Sequence, residues 1–294
     1  MKTLKIKSYL VLILLGLFAA CTDEGFKLTT QDAEGVENEA ATDSYFDDVD
    51  DMAGVALAAD DATLNGKAND TGRKITVQDG RFNCDGIVIE IVPAADSSPT
   101  HPKGTITINF GEGCTDPRGN VRKGIIVITY DGRRFAPGSV VTLTFDGYSI
   151  NGVQLAGVRT VTNKTESTQD SPVFNIQLVG GKATWPDGSS ATREVNLTRK
   201  WLRANNPLED SWEVTGNAAG SNRNGTEYTM QITEALLYKR ACAVADRIFI
   251  PVAGTKVLVV GDREMIIDYG DGECDREVSV TVNGETVSRN ISGD

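Results

Sequence analysis

The stretch Asp268-Tyr269-Gly270-Asp271-Gly272-Glu273-Cys274-Asp275 organises the reading of this chain, because Asn109-Phe110-Gly111-Glu112-Gly113-Cys114-Thr115-Asp116 echoes it. In both, a β-like run ends in an aromatic residue and is followed by a Gly-rich acidic turn that carries a cysteine. Each of these cysteines also has an earlier partner, in Arg240-Ala241-Cys242 and Phe82-Asn83-Cys84, at separations of 32 and 30 residues. Duplicated units should carry duplicated bridges, so the expected disulfides are Cys84 with Cys114 and Cys242 with Cys274. Loops of this length contribute about 3 to 4 kcal/mol each on the chain-entropy model. Four thiolates around zinc would need close pairs such as C-x2-C, and the sequence has none.

The first residues form an export signal. Lys2, Lys5 and Lys7 precede an apolar run from Tyr9 to Ala20 that ends at Cys21. Such a run, about 12 residues long, is short of the roughly 20 needed for a spanning helix. Ala19 and Ala20 before Cys21 resemble the lipobox of bacterial lipoproteins, although Phe18 stands where an aliphatic residue is usual. This resemblance implies a signal peptide over residues 1–20, lipidation of Cys21 and a membrane partner reached through that lipid. With Cys21 acylated, an even number of cysteines remains in an oxidising compartment.

The charge is unevenly placed. The whole chain carries −12, and residues 22 to 70 hold 14 acids against only Lys27 and Lys67. The rest is close to neutral and has no basic cluster of the kind that phosphate backbones require, which excludes a nucleic-acid partner. Residues 21–41 therefore read as an acidic tether unable to bury enough surface to fold alone. Thr22-Asp23-Glu24 resembles the acidic export tags that send Bacteroidota lipoproteins to the outer face of the outer membrane.

Residues 42–73 read as a short helix and linker. Thr42 or Asp43 can cap a helix whose Tyr45, Phe46, Val49, Met52, Ala53 and Ala56 share one face, with Asp47, Asp48, Asp50 and Asp51 near its positive end. That face is expected to pack against the rest of the chain.

From Lys74 to the C-terminus the period is two. Ile106, Ile108 and Phe110 alternate with polar residues, as do Val141, Leu143 and Phe145, and Val278, Val280 and Val282. Such alternation specifies antiparallel strands with one wet face. Asp131-Gly132, Asn151-Gly152, Asp187-Gly188, Asn224-Gly225 and Asn283-Gly284 mark tight turns between them. The expected fold is all-β: antiparallel sheets in a sandwich-like arrangement of two related disulfide-closed units, over about 74–165 and 166–294, with a short N-terminal helix. Thr233 to Ala245 alone could pass for a helix within this region, and the place of Cys242 in the repeat argues for strand.

The motif order resembles a family of Bacteroidota cell-envelope lipoproteins, with a lipobox followed by a cysteine-containing all-β domain. The resemblance rests on Thr105-Ile-Thr-Ile-Asn-Phe-Gly111, Arg122-Lys-Gly-Ile-Ile-Val-Ile-Thr-Tyr130, Phe145-Asp-Gly-Tyr-Ser-Ile-Asn-Gly152 and Gly157-Val-Arg-Thr-Val-Thr-Asn163. Gly216 through Gly225, Tyr238-Lys-Arg-Ala-Cys242 and Val280-Thr-Val-Asn-Gly284 continue it. It implies an envelope lipoprotein and brings no catalytic residues with it; the acidic tag is what suggests an outer-membrane, surface-exposed location.

Candidate chemistry is sparse. His101 is the only histidine, which excludes two-histidine metal sites and leaves one residue for any nucleophile pair. It lies in the loop Ser97-Ser98-Pro99-Thr100-His101-Pro102. Asp268, Asp271 and Asp275 in one unit and Asn109, Glu112 and Asp116 in the other offer oxygen ligands for calcium, or are ordinary turn residues facing water. Trp185, Trp201 and Trp212 fall close together beside Arg193 and Arg199, and Trp201 shares strand parity with both arginines. Exposed, these rings would stack on sugars; buried, they would fill the core. The chain therefore reads as a non-enzymatic binding or structural module with a glycan or an envelope protein as partner. The alternative is a carboxylate-dependent glycan hydrolase, which needs two facing acids.

Overall fold

The two-residue alternation becomes fifteen strands in the computed structural model, which describes residues 29–63, 72–167, 171–246 and 248–290. Residues 1–20, read as a signal peptide, Cys21 and Thr22-Asp23-Glu24 lie outside the described residues. A helix α1 (Thr30–Thr63) precedes β1 (Arg73–Ile75), β2 (Val88–Pro93), β3 (Lys103–Asn109), β4 (Cys114–Thr115), β5 (Val121–Asp131), β6 (Val140–Ile150), β7 (Val153–Asn163) and β8 (Val173–Thr184). Then come β9 (Ser190–Leu202), β10 (Ser211–Ser221), β11 (Glu227–Lys239), the short helix α2 (Arg240–Ala245), β12 (Ala253–Val260), β13 (Arg263–Asp271), β14 (Glu277–Val282) and β15 (Glu285–Asn290).

All the strands belong to one antiparallel sheet. Each pairs with its sequence neighbour from β1 to β15, except that β3 pairs directly with β5 while the short β4 pairs with β5 alone. The sheet is open, with β1 and β15 at its edges. Asn151-Gly152 and Asn283-Gly284 close hairpins with positive φ at both residues, 49° and 82° in the first and 54° and 84° in the second. That is the type I′ geometry which matches strand twist.

The two halves of this sheet carry separate apolar clusters, and α1 completes both. Val49, Met52, Ala53, Ala56 and Leu57 pack with Ile91, Ile106, Ile126 and Ile128 from the first half. Phe46 packs with Ile176, Leu178, Leu258 and Ile267 from the second. Only Glu37, Ser44, Asp51 and Ala58, seven residues apart, form an exposed stripe along the described side chains of the helix. The sheet therefore curls around α1.

β-bulges help it to curl. Pairing slips in β7–β8 between Ala156 and Val158 and in β10–β11 between Val214 and Asn217. Gly157 (φ 119°) and Gly216 (φ 122°) sit at these slips, where a Cβ would strike Gly181 and the Asn196 carbonyl of the neighbouring strand. A bulge adds one residue to one strand and increases the local twist, so glycine is required where the backbones approach this closely.

Each half is pinned by one disulfide. Cys84 ahead of β2 is bonded to Cys114 of β4, with Cα atoms 5.6 Å apart, and Cys242 of α2 to Cys274 after β13, at 5.2 Å. The pairing matches the repeat in the sequence.

Three local readings differ from the structure. The helix is longer than expected at both ends, starting at Thr30 within the segment read as tether and ending at Thr63 within the segment read as linker. Thr42 consequently lies mid-helix, where its hydroxyl donates to the Asn38 carbonyl at 2.7 Å rather than capping an N-terminus. Cys242 sits on the helical turn α2, because a disulfide constrains the distance between its ends and not the backbone between them.

Candidate functional site

The acids of α1 meet cations from the sheet. Glu39 Oε1 accepts from Arg193 on β9 and Glu39 Oε2 from Lys256 on β12, both at 2.8 Å. The second Arg193 Nη donates to Asp43 at 2.8 Å. Further along the helix, Arg159 of β7 holds Asp47 at 2.8 Å and Asp50 at 2.6 Å. Arg122 of β5 joins Asp48 at 3.0 Å to Asp116 at 2.5 Å, and Arg81 reaches Asp48 at 3.4 Å. Arg122, Arg159 and Arg193 are at most 2% exposed. A buried guanidinium is strongly disfavoured unless paired, so each of these arginines requires its carboxylates.

Electrostatics follow from this burial. Burial alone would raise Glu39, but Lys256 and Arg193 together pull it down to about 2. Asp43, which shares Arg193, goes the other way, because burial outweighs the arginine and Asp47 and Glu39 add repulsion. Burial opposes the charge on Lys256, and Glu39 overrides it and holds the ammonium above its ordinary range. These groups are consumed in joining helix to sheet.

A different set of residues stays open at one end of the same face. Trp201 on β9 lies directly opposite Trp212 on β10, which lies opposite Tyr238 on β11. The two indoles stack, with centroids 6.4 Å apart and planes at 17°. Phe135, from the β5–β6 loop, packs 5.6 Å from Trp201 and 6.1 Å from Phe174 of β8, yet is 46% exposed. Arg203 stands 4.7 Å over Trp201, Arg134 5.5 Å over Phe135, and Arg199 lies at 3.7 Å from Asp47. The Trp201 Nε1–H is buried without an acceptor.

Not all the residues singled out in the sequence converge here. Trp201 and Trp212 do. Trp185 occupies the turn at the other end of the β8–β9 hairpin, edge-on to Tyr45 at 6.4 Å and covered by Arg223 at 4.4 Å. All three tryptophans are partly buried. Phe135, Phe174, Arg134 and Arg203 escaped sequence reasoning, because the turn that brings the β5–β6 loop over β8 and β9 is a tertiary feature.

The acidic turns are built alike. Asn109 Oδ1 accepts from the Gly111 N–H and Asp268 Oδ1 from the Gly270 N–H, both at 2.8 Å. Asp116 is committed to Arg122 and to the backbone N–H groups of Arg118 and Asn120, and Asp275 accepts from the Glu277 N–H. Asp268, Asp271 and Asp275 line a cavity of about 160 Å³ together with Glu273 and Glu277. Among the described residues no three His, Cys, Asp or Glu side chains are grouped so as to hold a metal ion. Glu112 is exposed on its turn. His101 hydrogen-bonds through Nε2 to Asp131 at 2.5 Å on the exposed loop where the sequence placed it.

These features define a class of protein by shape: an open antiparallel meander curled around an ion-paired helix, with an arginine-edged aromatic patch at one end. No protein-family model, curated protein or solved structure matches the chain.

Proposed function

We propose that this chain is a non-enzymatic envelope lipoprotein, anchored to the outer membrane through lipid on Cys21, whose β body binds a glycan on the patch around Trp201 and Trp212. The stacked indole pair with half-exposed Phe135 beside it carries this reading. Half-exposed Phe135 and the partly exposed edges of the indole pair offer apolar surface to a ligand at the rim of a filled core. The anchor reading is supported by the Ala19-Ala20-Cys21 lipobox resemblance behind an apolar run.

Binding is tested by affinity electrophoresis of the protein through gels containing host, envelope and algal polysaccharides. At least one should retard the wild-type chain, and Trp212→Ala should abolish the retardation while the thermal midpoint and disulfides confirm folding. Retention by none of the panel would sink the glycan reading. Release of shortened oligosaccharides, lost on replacing one of two acids, would establish the hydrolase instead. Cys21→Ser should abolish metabolic labelling with a fatty acid; labelling that persists would remove the anchor.

A further inference from the structure

We infer that the patch selects acidic saccharides, recognising a uronate carboxylate or a sulfate ester on the sugar through Arg203 and Arg134. The inference rests on the glycan-binding reading and deepens it.

Three observations carry it. First, on the face that bears α1, Arg81, Arg122, Arg159, Arg193 and Lys256 all have carboxylate partners. Arg203 and Arg134 have no carboxylate at ion-pair distance among the described residues; Arg203 is exposed, while the Arg134 guanidinium lies against Gly54 of α1, where burial works against its charge. The acids nearest Arg134 are already engaged: Asp50 with Arg159 at 2.6 Å and Asp51 with Arg81 at 4.0 Å. Second, each free guanidinium is placed over an aromatic ring. This fixes its position while leaving in-plane N–H donors for an oxyanion, in the geometry that favours carboxylate and sulfate.

Third, the rings offer little bare face to a neutral sugar. Trp201 has Arg203 over it and Trp212 stacked against it, and Trp185 is covered by Arg223. A neutral sugar would have to displace an arginine in order to stack. An acidic one pairs with that arginine where it stands and lies against Phe135. The buried Trp201 Nε1–H is a further donor still without an acceptor. The net charge of −12 works against adventitious capture of a polyanion, so retention would have to come from a local site.

The test titrates the full chain with polygalacturonate and its fully methyl-esterified form, and with chondroitin sulfate and its desulfated form, at physiological ionic strength. We expect binding to at least one acidic polymer. Affinity should fall by about tenfold or more when its charge is removed chemically, the size of one lost charge-assisted hydrogen bond. The paired comparisons separate uronate from sulfate. Arg203→Ala and Arg134→Ala should each weaken binding by a similar factor, with the thermal midpoint unchanged in Arg203→Ala because that side chain is exposed, and with cooperative unfolding and both disulfides retained in Arg134→Ala, whose guanidinium packs on α1.

Gly54→Ala gives an independent handle, because a Cβ there would push into the Arg134 guanidinium, the mobile end of a long side chain. It should lower affinity without altering either arginine. Equal affinity for polygalacturonate and its ester would overturn the acidic selection while leaving glycan binding intact. Acidic binding that survives Arg203→Ala and Arg134→Ala would overturn the assignment to this patch. Failure of every saccharide to bind would overturn both readings.

Discussion

Glu39 shows at single-residue scale how this fold uses charge. Its carboxylate is 1% exposed, sits between Arg193 and Lys256, and is held down to about 2 against an ordinary value of 4.5. A depressed carboxyl contributes stability that is present above its unfolded value and is lost as the pH falls through the folded one. For Glu39 that window runs from 4.5 down to about 2. The linked contribution is about 3 kcal/mol. Asp43 has the opposite sign, being raised by burial, and it offsets part of this gain. Glu39→Gln keeps the shape but leaves two buried cations short of charge, so it should cost about 3 to 5 kcal/mol at neutral pH. Denaturant titrations of wild type and variant between pH 7 and 2 measure both effects. A loss below about 1 kcal/mol, or an acid limb with the same slope in the two proteins, would show that the pairing is not what holds the helix.

At the scale of elements, the bulges of β7 and β10 and the length of α1 belong to one design, since a flat sheet could not reach both sides of a helix. Gly216 should therefore resist substitution although it is not buried: Gly216→Ala forces φ 122° on an L-residue and drives a Cβ into the Asn196 carbonyl. Strain of this kind costs about 1 to 3 kcal/mol before the clash is counted. Calorimetry of Gly216→Ala against Gly225→Ala checks the bulge specifically, because Gly225 also has positive φ (83°) but nothing near its Cβ. A loss no larger at Gly216 than at Gly225 would contradict the close approach. The same elements show what could be read in advance. Strand alternation, the Asn-Gly hairpins and the paired cysteines are local signals, and they were legible. The helix was found by its apolar face at Phe46, Val49, Met52, Ala53 and Ala56, but its first turns were not, because Glu39 looks like solvated tether until Arg193 and Lys256 arrive from residues more than 150 positions away. A trace of that arrival was present in Arg193, which shares the inward parity of Val195 and Leu197. A charged residue on the buried side of a strand demands a partner, and the most acidic segment of the chain was the available source. The patch was half legible for a similar reason: Trp201 and Trp212 are neighbours across strands, whereas Phe135 and Arg134 reach them only through the curl of the sheet.

For the whole molecule, the arrangement of α1 decides whether the chain behaves as one cooperative body or as a sheet with a docked arm. The helix is rich in acids and has one apolar face, and helices in proteins owe most of their stability to packing of such a face rather than to propensity. Detached, it would lose its ion pairs as well as its apolar contacts and leave Arg122, Arg159 and Arg193 without their helix carboxylates on the inner face. Apolar contacts to both halves of the sheet, through Phe46 on one side and Val49 to Leu57 on the other, make partial release costly for either half. Native-state hydrogen exchange should consequently place the backbone amides of residues 35–57 in the same opening unit as β5 and β9, with protection near that of global unfolding. The disulfides bond each half internally and none is bonded to α1, so reduction should lower the stability of this unit without splitting the helix from it. If the helix amides exchanged orders of magnitude faster than those of β5 and β9, α1 would be a removable arm. The buried arginines would then need another source of compensation.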